Sequence, residues 1–289
     1  MNDLDNLKKE PILPLGNHDC YYEVFDQVDM NITITDPAPI VVLFGPACCG
    51  KTMALLRMAR YLENDGFRVV PDVMFRRNDE HYQKLCSEFH TTVYGEYSAG
   101  GTGVNGFMMV KVVDNNGRTE CQFLDATGEI LINEKGLAVF PQYIESVIHS
   151  KNRRVWVFFV ESHWGVDQTN RNMYVEGIRN LISIVHNINM RSDNVIFLFS
   201  KADKAEYHHL FTSKGRPNCR LFYDEVKHCY PGIFAQYERA GMARLLLGKN
   251  KFEATPFSAG EFSTDGRLHW YPSIDWYPKQ FWKAIKKHL

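Results

Sequence analysis

The stretch IVVLFGPACCGKT, residues 40–52, decides the fold that the sequence predicts. Its first five residues, Ile40–Phe44, form an apolar run typical of a strand buried on both faces. GPACCGKT follows at once and has the G-x-x-x-x-G-K-T spacing of a phosphate-binding loop. The next residues, to about Glu63, have a helical pattern, so the loop lies between a strand and a helix, as its chemistry requires.

Each position of this loop has a physical task. Gly45 and Gly50 allow backbone turns that a side chain would block, so the loop's N–H groups can surround an anion. Lys51 supplies a charge for the β- and γ-phosphates, and the Thr52 hydroxyl supplies a ligand for Mg²⁺. The residues between the glycines are also expected to contact the nucleotide: Pro46, Ala47, Cys48 and Cys49. The alternative is a glycine-bracketed turn that binds nothing.

The composition is that of an ordinary globular protein. The chain has 289 residues and a formal net charge of −1, which gives no electrostatic drive toward nucleic acid or anionic membrane. Seven cysteines without framework spacing indicate reduced thiols and a cytoplasmic location. We expect no membrane span, leader or lipid anchor, because no apolar run approaches ~18 residues and neither terminus has a matching pattern.

Beyond the loop, strand and helix patterns alternate, which predicts an α/β fold of three layers with a mostly parallel sheet between helices. Asp114–Gly117 is a tight-turn signal, so the strands beside it should form one antiparallel hairpin. The predicted strands are Ile40–Phe44, Phe107–Val113, Arg118–Leu124, Val155–Val160, Val195–Phe199 and Phe252–Phe257. The predicted helices are Thr52–Asn64, Leu137–Ser150, Asn172–Asn187 and Trp276–His288.

The chain is expected to divide into an N-terminal extension, residues 1–38, and one domain, residues 39–289. The extension is polar and rich in turn residues, with at most one short strand near Asn31–Thr35. Segments 76–106 and 204–250 are predicted insertions. The second is mixed polar and helical, and the first ends in a glycine-rich mobile loop.

Two short motifs follow predicted strands, where ligands of open α/β sheets bind. DATG, Asp125–Gly128, offers a carboxylate that can hold Mg²⁺ through water and a glycine N–H that can reach a γ-phosphate. SAG, Ser258–Gly260, lets the Ala259 N–H approach the carbonyl oxygen of guanine. Alone, DATG is better explained as an ordinary turn, in which Asp125 caps and Gly128 turns the chain, and SAG alone indicates little.

A third motif, SKAD at Ser200–Asp203, has the chemistry of base recognition. The Asp203 carboxylate can accept hydrogen bonds from guanine N1–H and its 2-amino group, while the stem of Lys201 lies over the purine face. Adenine has no donors at those positions and would leave a buried carboxylate unpaired. The alternative is a solvated charged loop.

In this order and on these strand ends, the four motifs form the sequence plan of the P-loop GTPases of the Ras-like type, which residues 39–289 resemble. The long gaps between motifs indicate insertions, and the resemblance is to a prokaryotic or divergent member of the family. The resemblance implies GTP or GDP as ligand with Mg²⁺, and hydrolysis of GTP to GDP and phosphate in a molecular switch. It also implies a protein effector or activating protein at the switch loops and insertions.

The resemblance assigns roles to individual residues. Thr102, in the glycine-rich loop, is expected to join Thr52 and Asp125 as Mg²⁺ ligands, with Thr91 and Thr92 as alternatives. The catalytic set it implies is Lys51, Thr102, Gly128 and Glu129, of which Gly128 senses the γ-phosphate. The nucleotide-binding set beyond the loop is Ser200, Lys201, Asp203, Ser258 and Ala259.

Three positions depart from the family pattern. Glu129 stands where a water-orienting glutamine is usual, and its charge opposes the γ-phosphate. Ala47 replaces a common glycine, and Ser200 replaces asparagine or threonine while keeping a hydroxyl. Two alternatives to a GTPase switch therefore stay open: a slow, GTPase-like nucleotide-binding scaffold, and an ATP-dependent P-loop enzyme in which SKAD is coincidental.

Two side-chain groups have both a functional and an ordinary interpretation. Cys48 and Cys49 lie at a helix N-terminus and could be redox-active. The favoured interpretation is that they are present because small residues fit a tight loop. An aromatic cluster near the C-terminus is favoured as core packing over a docking face. Its members are Trp270, Tyr271, Trp276, Tyr277, Phe281 and Trp282.

Overall fold

The computed structural model describes most of the predicted domain. The described residues are 32–46, 48–96, 107–126, 142–161, 176–177, 179–180, 183, 185, 194–204, 210–213, 215–235, 237–238, 252–264 and 268–289. They belong to one unit, Ile32–Leu289. Most of the predicted extension therefore lies outside the described residues, and its boundary at residue 38 stays a prediction.

Seven strands form the main sheet, in the order β2-β3-β4-β1-β5-β6-β7. Strand β3 is antiparallel to both of its neighbours, and all the other pairings are parallel. The prediction of a mostly parallel sheet with one antiparallel hairpin strand is confirmed. The strands are β1 Ile40–Phe44, β2 Arg68–Pro71, β3 Met108–Val113, β4 Thr119–Asp125, β5 Arg154–Glu161, β6 Asn194–Ser200 and β7 Phe252–Pro256.

Helices cover both faces of this sheet. All five residues of β1 are buried, as a central strand between two helical layers requires. The helices are α1 Lys51–Asn64, α2 Glu80–Tyr94, α3 Gln142–His149, α4 Cys219–Cys229 and α5 Trp276–Lys286. Helix α1 packs against α2, α5 and β4, while α5 also contacts β6 and β7. The predicted helix Asn172–Asn187 is helical at each position that the structure describes within it.

The C-terminal aromatic cluster packs mainly into the core. Trp282 is buried and meets Phe67 edge-on, with ring centroids 5.6 Å apart, and Phe281 meets Phe257 at 5.7 Å. Tyr271 is the exception, because 59% of it is exposed. The favoured interpretation as core packing is therefore confirmed for the buried members, and it explains how α5 is fixed to the sheet.

The structure corrects the sequence interpretation before β3. Near Asn31–Thr35, where the sequence allowed at most one short strand, the described residues 32–35 form none, and the Thr33 N–H donates to the Phe75 carbonyl at 2.9 Å. Strand β2 extends the sheet edge, and helix α2 occupies much of segment 76–106. The sequence did signal this helix, because Asp79 caps it by accepting from the Tyr82 N–H at 2.9 Å. Its buried residues recur at helical spacing: Tyr82, Cys86, Phe89 and Val93.

A second, two-stranded sheet was also not predicted. Strands β8, Gly260–Thr264, and β9, Leu268–Pro272, form an antiparallel hairpin between β7 and α5. Gly260 begins it with φ of 137°, and a Cβ there would lie 2.0 Å from the Tyr271 carbonyl oxygen. The close approach of the two strands therefore needs glycine at this position.

Candidate nucleotide-binding site

The sheet brings the four motifs to one edge. Strands β4, β1, β5, β6 and β7 run parallel, so their carboxyl ends lie on the same side. Asp125 ends β4 beside Leu43 of β1, and Pro256, two residues before Ser258, lies beside Phe199 of β6. Residues far apart in sequence thus meet at one edge, as the motif order predicts.

The phosphate loop needs backbone conformations that most side chains disfavour. Gly50, the residue before α1, has φ of 95°, and Cys48 has φ of 60°. A Cβ on Gly45 would lie 2.6 Å from the Cys49 Sγ and 2.8 Å from the Phe159 Cβ. The two motif glycines are therefore required for different reasons, one for backbone angle and one for space. Ala47 lies outside the described residues.

Lys51 points back into the loop. Its side chain is buried, and Nζ donates to the carbonyls of Gly45 at 2.9 Å and Pro46 at 2.8 Å. Within the described part of the chain it forms no ion pair within salt-bridge distance. A buried ammonium held by carbonyl dipoles leaves positive charge at the start of a helix, which favours an anion.

Thr52 and Asp125 form a second pair beside this charge. The Thr52 hydroxyl donates to Asp125 Oδ2 at 2.6 Å, and the Asp125 carboxylate is buried. Asp125 Oδ1 has no hydrogen-bond partner among the described residues. Burial raises the pKa of Asp125, while the Lys51 charge and the Thr52 hydroxyl oppose the rise. A hydroxyl beside a carboxylate with an unused oxygen fits the donor chemistry of Mg²⁺, which Thr52 and Asp125 would hold.

The two loop cysteines differ in environment. Cys49 is fully buried, with Sγ 3.8 Å from the Lys51 Nζ, and burial raises the pKa of its thiol. A protonated, inaccessible thiol supports packing rather than redox chemistry at this position. Cys48 is exposed.

The SKAD motif lies against the SAG motif. The Ala202 N–H donates to the Phe257 carbonyl at 3.0 Å, which joins the two loops. Lys201 has φ of 54°, and its Nζ pairs with Glu161 Oε1 at 2.5 Å, at the end of β5. The charges of Lys201 and Glu161 both act on the Cys49 thiol, so this pair lies close to the phosphate loop.

Asp203 is a half-buried carboxylate without a partner. It forms no hydrogen bond or ion pair with any residue that the structure describes. Tyr277 lies near it, since burial and then the Asp203 charge raise the pKa of the tyrosine. A carboxylate held at the sheet edge with both oxygens available can accept the paired donors of a guanine.

The SAG loop is ordered by its own hydrogen bonds. Ser258 is buried, and its hydroxyl accepts from the Gly260 N–H at 3.1 Å. The Ala259 N–H donates to no acceptor in the described part of the chain. Ser258 and Ala259 therefore lie where the motif predicts, next to SKAD, with a backbone donor available.

Several predicted site residues lie outside the described residues: Thr102, Gly128 and Glu129. Their roles stay predictions. The alternatives to Thr102, Thr91 and Thr92, lie in the last turn of α2 rather than in a loop, and the Thr92 hydroxyl donates to the Glu88 carbonyl.

Sequence reasoning missed two residues at this edge. Glu161 ends β5 and holds Lys201, and its position at a parallel strand end was a usable signal. Ser273 follows β9 and holds the Ser258 carbonyl at 2.6 Å, which no local pattern indicated. Among the described residues there is no cluster of His, Cys, Asp or Glu that could hold a metal by itself. None of the described helices has the length and apolar character needed to cross a membrane.

No protein-family model matches the sequence, and no curated protein does. Solved structures with similar folds include the GTP-bound Ski7 GTPase-like domain of S. cerevisiae, at 13% identity and TM-score 0.41, covering 87% of this chain and 50% of that one. The chain thus spans about half the length of that chain.

The descriptions of two further similar structures name GTP or GTPase activity. One is the signal recognition particle receptor SRb-GTP/SRX complex from Chaetomium thermophilum, at 11% identity and TM-score 0.43, covering 89% of this chain and 100% of that one. The other comes from the chloroplast translocon components atToc33 and psToc159, at 10% identity and TM-score 0.45, covering 87% of this chain and 83% of that one. Identities this low leave the strand order and the motif positions as the basis for assigning the fold. By its strand order, its one antiparallel strand and its phosphate loop, the described chain has the α/β fold of the P-loop NTPases, with a mostly parallel sheet.

Proposed function

We propose that the chain binds GTP with Mg²⁺ and hydrolyses it to GDP and phosphate as a nucleotide-dependent switch. The observation that carries this proposal is the unpartnered Asp203 carboxylate on the same sheet edge as Lys51. The Asp203 carboxylate can accept hydrogen bonds from a guanine, and the Lys51 ammonium can neutralise phosphates. The parallel strands that carry the two residues fix their separation.

The phosphate half of the proposal rests on the loop and α1. The Lys51 ammonium and the loop N–H groups would neutralise the β- and γ-phosphates. The Mg²⁺ that accompanies a nucleoside triphosphate supplies further charge neutralisation, and Thr52, with Asp125 through water, would hold it. Catalysis of this kind consists mainly of positioning and electrostatic stabilisation, which buried, pre-oriented groups provide.

The switch itself is assigned to residues around Thr102 and Gly128. Contacts to the γ-phosphate would order these segments, and its loss would release them for a protein effector or activating protein to detect. Glu129 in place of glutamine predicts slow intrinsic hydrolysis, because a carboxylate repels the γ-phosphate. This expectation keeps the scaffold function as the second candidate.

Nucleotide competition with purified protein tests the binding proposal. Fluorescent GDP bound with Mg²⁺ should be displaced by unlabelled GTP and GDP, and about a hundredfold less well by ATP, because adenine offers no donors to Asp203. Equal displacement by ATP and GTP would favour the ATP-dependent enzyme.

Asp203→Asn gives a sharper test of the base assignment. Loss of a charged acceptor for two guanine donors should weaken GDP binding roughly a hundredfold. Binding of the xanthine nucleotide should improve, because its 2-oxygen can accept from the new amide. Asp224→Asn, on the exposed side of α4, is the matched control and should leave both affinities unchanged. Unaltered base preference in Asp203→Asn would remove this residue from the site.

Single-turnover hydrolysis separates the switch from the scaffold. Protein loaded with GTP should release phosphate with Mg²⁺ present and not in EDTA, and Lys51→Ala should abolish the release. Stable GTP over hours in the wild-type protein, with binding intact, would favour the scaffold.

A further inference from the structure

The hairpin β8–β9 returns the chain to the loop that follows β7. Ser273, directly after β9, contacts this loop at two points. Its hydroxyl lies 2.6 Å from the Ser258 carbonyl, and its N–H donates to the Ala259 carbonyl at 3.1 Å. A residue about fifteen positions downstream therefore holds both peptide groups that flank Ala259.

Arg57 fixes the direction of the first of these hydrogen bonds. This α1 residue is buried, and its Nε lies 3.3 Å from the Ser273 Oγ and 3.1 Å from the Ser273 carbonyl oxygen. A guanidinium can only donate and a carbonyl can only accept, so the Ser273 hydroxyl must receive from Arg57 and donate to Ser258. Asp275 accepts from Arg57 Nη2 at 2.6 Å and holds the guanidinium in place.

The orientation of the Ala259 N–H follows from this contact. In a trans peptide the carbonyl and the next N–H point in opposite directions. The Ser258 carbonyl faces Ser273, so the Ala259 N–H faces away from the hairpin, and no described residue accepts from it. A charge-assisted chain from Arg57 through Ser273 also polarises this peptide group and strengthens its N–H as a donor.

A second clamp acts on the far side of Ala259. The Trp270 indole Nε1 donates to the Ala259 carbonyl at 3.1 Å, and the Arg60 guanidinium lies 4.2 Å from the centroid of that indole ring. The peptide groups on both sides of Ala259 are thus held by residues of α1 and the hairpin. A donor fixed in this way distinguishes an acceptor at the 6-position of a purine from an amino group there.

We propose that Ser273, held by Arg57, is a positioning residue that fixes the Ala259 N–H to donate to the 6-oxygen of a bound guanine. The proposal rests on the proposed function, because it takes a guanine nucleotide as ligand. It adds a specificity determinant outside the four motifs, contributed by a hairpin that lies between the SAG motif and α5.

Ser273→Ala, tested with two nucleotides, measures this role. GDP and 6-thioguanosine diphosphate share the groups that Asp203 would bind and differ in the acceptor at the 6-position. Loss of the Ser273 hydroxyl should weaken GDP binding about fivefold, in line with one neutral hydrogen bond, and should weaken 6-thioguanosine diphosphate binding much less, because sulfur is the poorer acceptor. Ser263→Ala, an exposed serine of the same hairpin, is the matched control and should change neither affinity.

Two further variants separate positioning from folding. Ser273→Thr keeps the hydroxyl and should retain the wild-type ratio of the two affinities. Ser273→Cys keeps a side chain of similar shape with a weaker donor, and it serves as the test if the alanine variant fails to fold. It should lower the affinity for GDP more than the affinity for 6-thioguanosine diphosphate, as is expected of Ser273→Ala. Equal losses for the two nucleotides in the alanine and cysteine variants, or GDP binding as tight as in Ser263→Ala, would overturn the positioning role. A wild-type protein that binds neither nucleotide would instead refute the proposed function.

Discussion

Replacing Gly45 by alanine adds a methyl group where the phosphate loop has no room for one. The new Cβ would lie 2.6 Å from the Cys49 Sγ and 2.8 Å from the Phe159 Cβ. Real Cβ atoms do not approach other heavy atoms so closely, and the Phe159 Cβ, being attached to the β5 backbone, cannot move away. Overpacking of this kind costs about 1–3 kcal/mol of the free energy of unfolding, and we expect about 2 kcal/mol.

The same substitution should weaken nucleotide binding further. The Gly45 carbonyl accepts from the Lys51 Nζ at 2.9 Å, so any displacement of this residue also displaces the ammonium. The stability loss is measured by urea unfolding of nucleotide-free protein followed by circular dichroism, and the affinity by displacement of fluorescent GDP. We expect the affinity to fall by tenfold or more, on the order of one misplaced charge-assisted contact.

A double-mutant cycle tests the stated cause. Cys49→Ala removes the nearer of the two clashing atoms, so Gly45→Ala should cost about 1 kcal/mol less in that background. Gly117→Ala, in the turn between β3 and β4, gives a comparison without a clash: its Cβ meets no atom within 4 Å, so any cost should come from its φ of 81° and should show no coupling to Cys49→Ala. Equal stability of Gly45→Ala and the wild type, or no coupling to Cys49, would refute the steric argument.

Three other expectations concern stability. In metal-free buffer, the raised pKa of Asp125 means that the protonated carboxyl stabilises the folded protein below the unfolded-state pKa of about 3.9, and this stabilisation is lost as pH rises through the folded-state pKa. Asp125→Asn should therefore gain stability relative to the wild type as pH rises above about 4, by up to ~1.4 kcal/mol per pH unit until the folded-state pKa is passed; a pH-independent difference in urea unfolding would contradict this. Tyr143→Ala should cost about 3 kcal/mol, because the ring is buried and stacks on Phe107 at 3.8 Å; a loss below 1 kcal/mol in the same assay would show that the stack does not anchor α3. Lys111→Met should lower the free energy of unfolding by about 3 kcal/mol, because it removes the ammonium that lies 3.0 Å from the buried Asp72 carboxylate. Thermal unfolding measures this loss, and an unchanged transition would show that the ion pair does not stabilise the fold.

Much of the sheet could be predicted from the sequence because its signals are local. Ile40–Phe44 matches β1 residue for residue, and the turn at Asp114–Gly117 predicts the β3–β4 hairpin. A buried strand is a continuous apolar run, and a tight turn needs residues that tolerate unusual backbone angles. Neither signal depends on distant parts of the chain.

The elements that were missed depend on tertiary contacts or lie in weaker patterns. Strand β2 has only four residues and ends in Pro71, so its pairing with β3 rather than its own sequence makes it a strand. The β8–β9 hairpin was missed although the sequence between its strands contains Asp265-Gly266, a usable turn signal. Its packing against the SAG loop through Trp270 and Ser273 is tertiary, and no local pattern indicated it.

For the site, the sequence by itself determined which groups could meet phosphate and base. Motif order along parallel strands was enough to place Lys51, Asp125 and Asp203 on one edge, because the carboxyl ends of parallel strands must coincide there. The tertiary structure alone decided how those groups are held. Burial of Asp125, pairing of Lys201 with Glu161, and the clamp of Arg57 and Ser273 on the SAG loop all join residues from separate elements, and no spacing rule along one segment encodes such contacts.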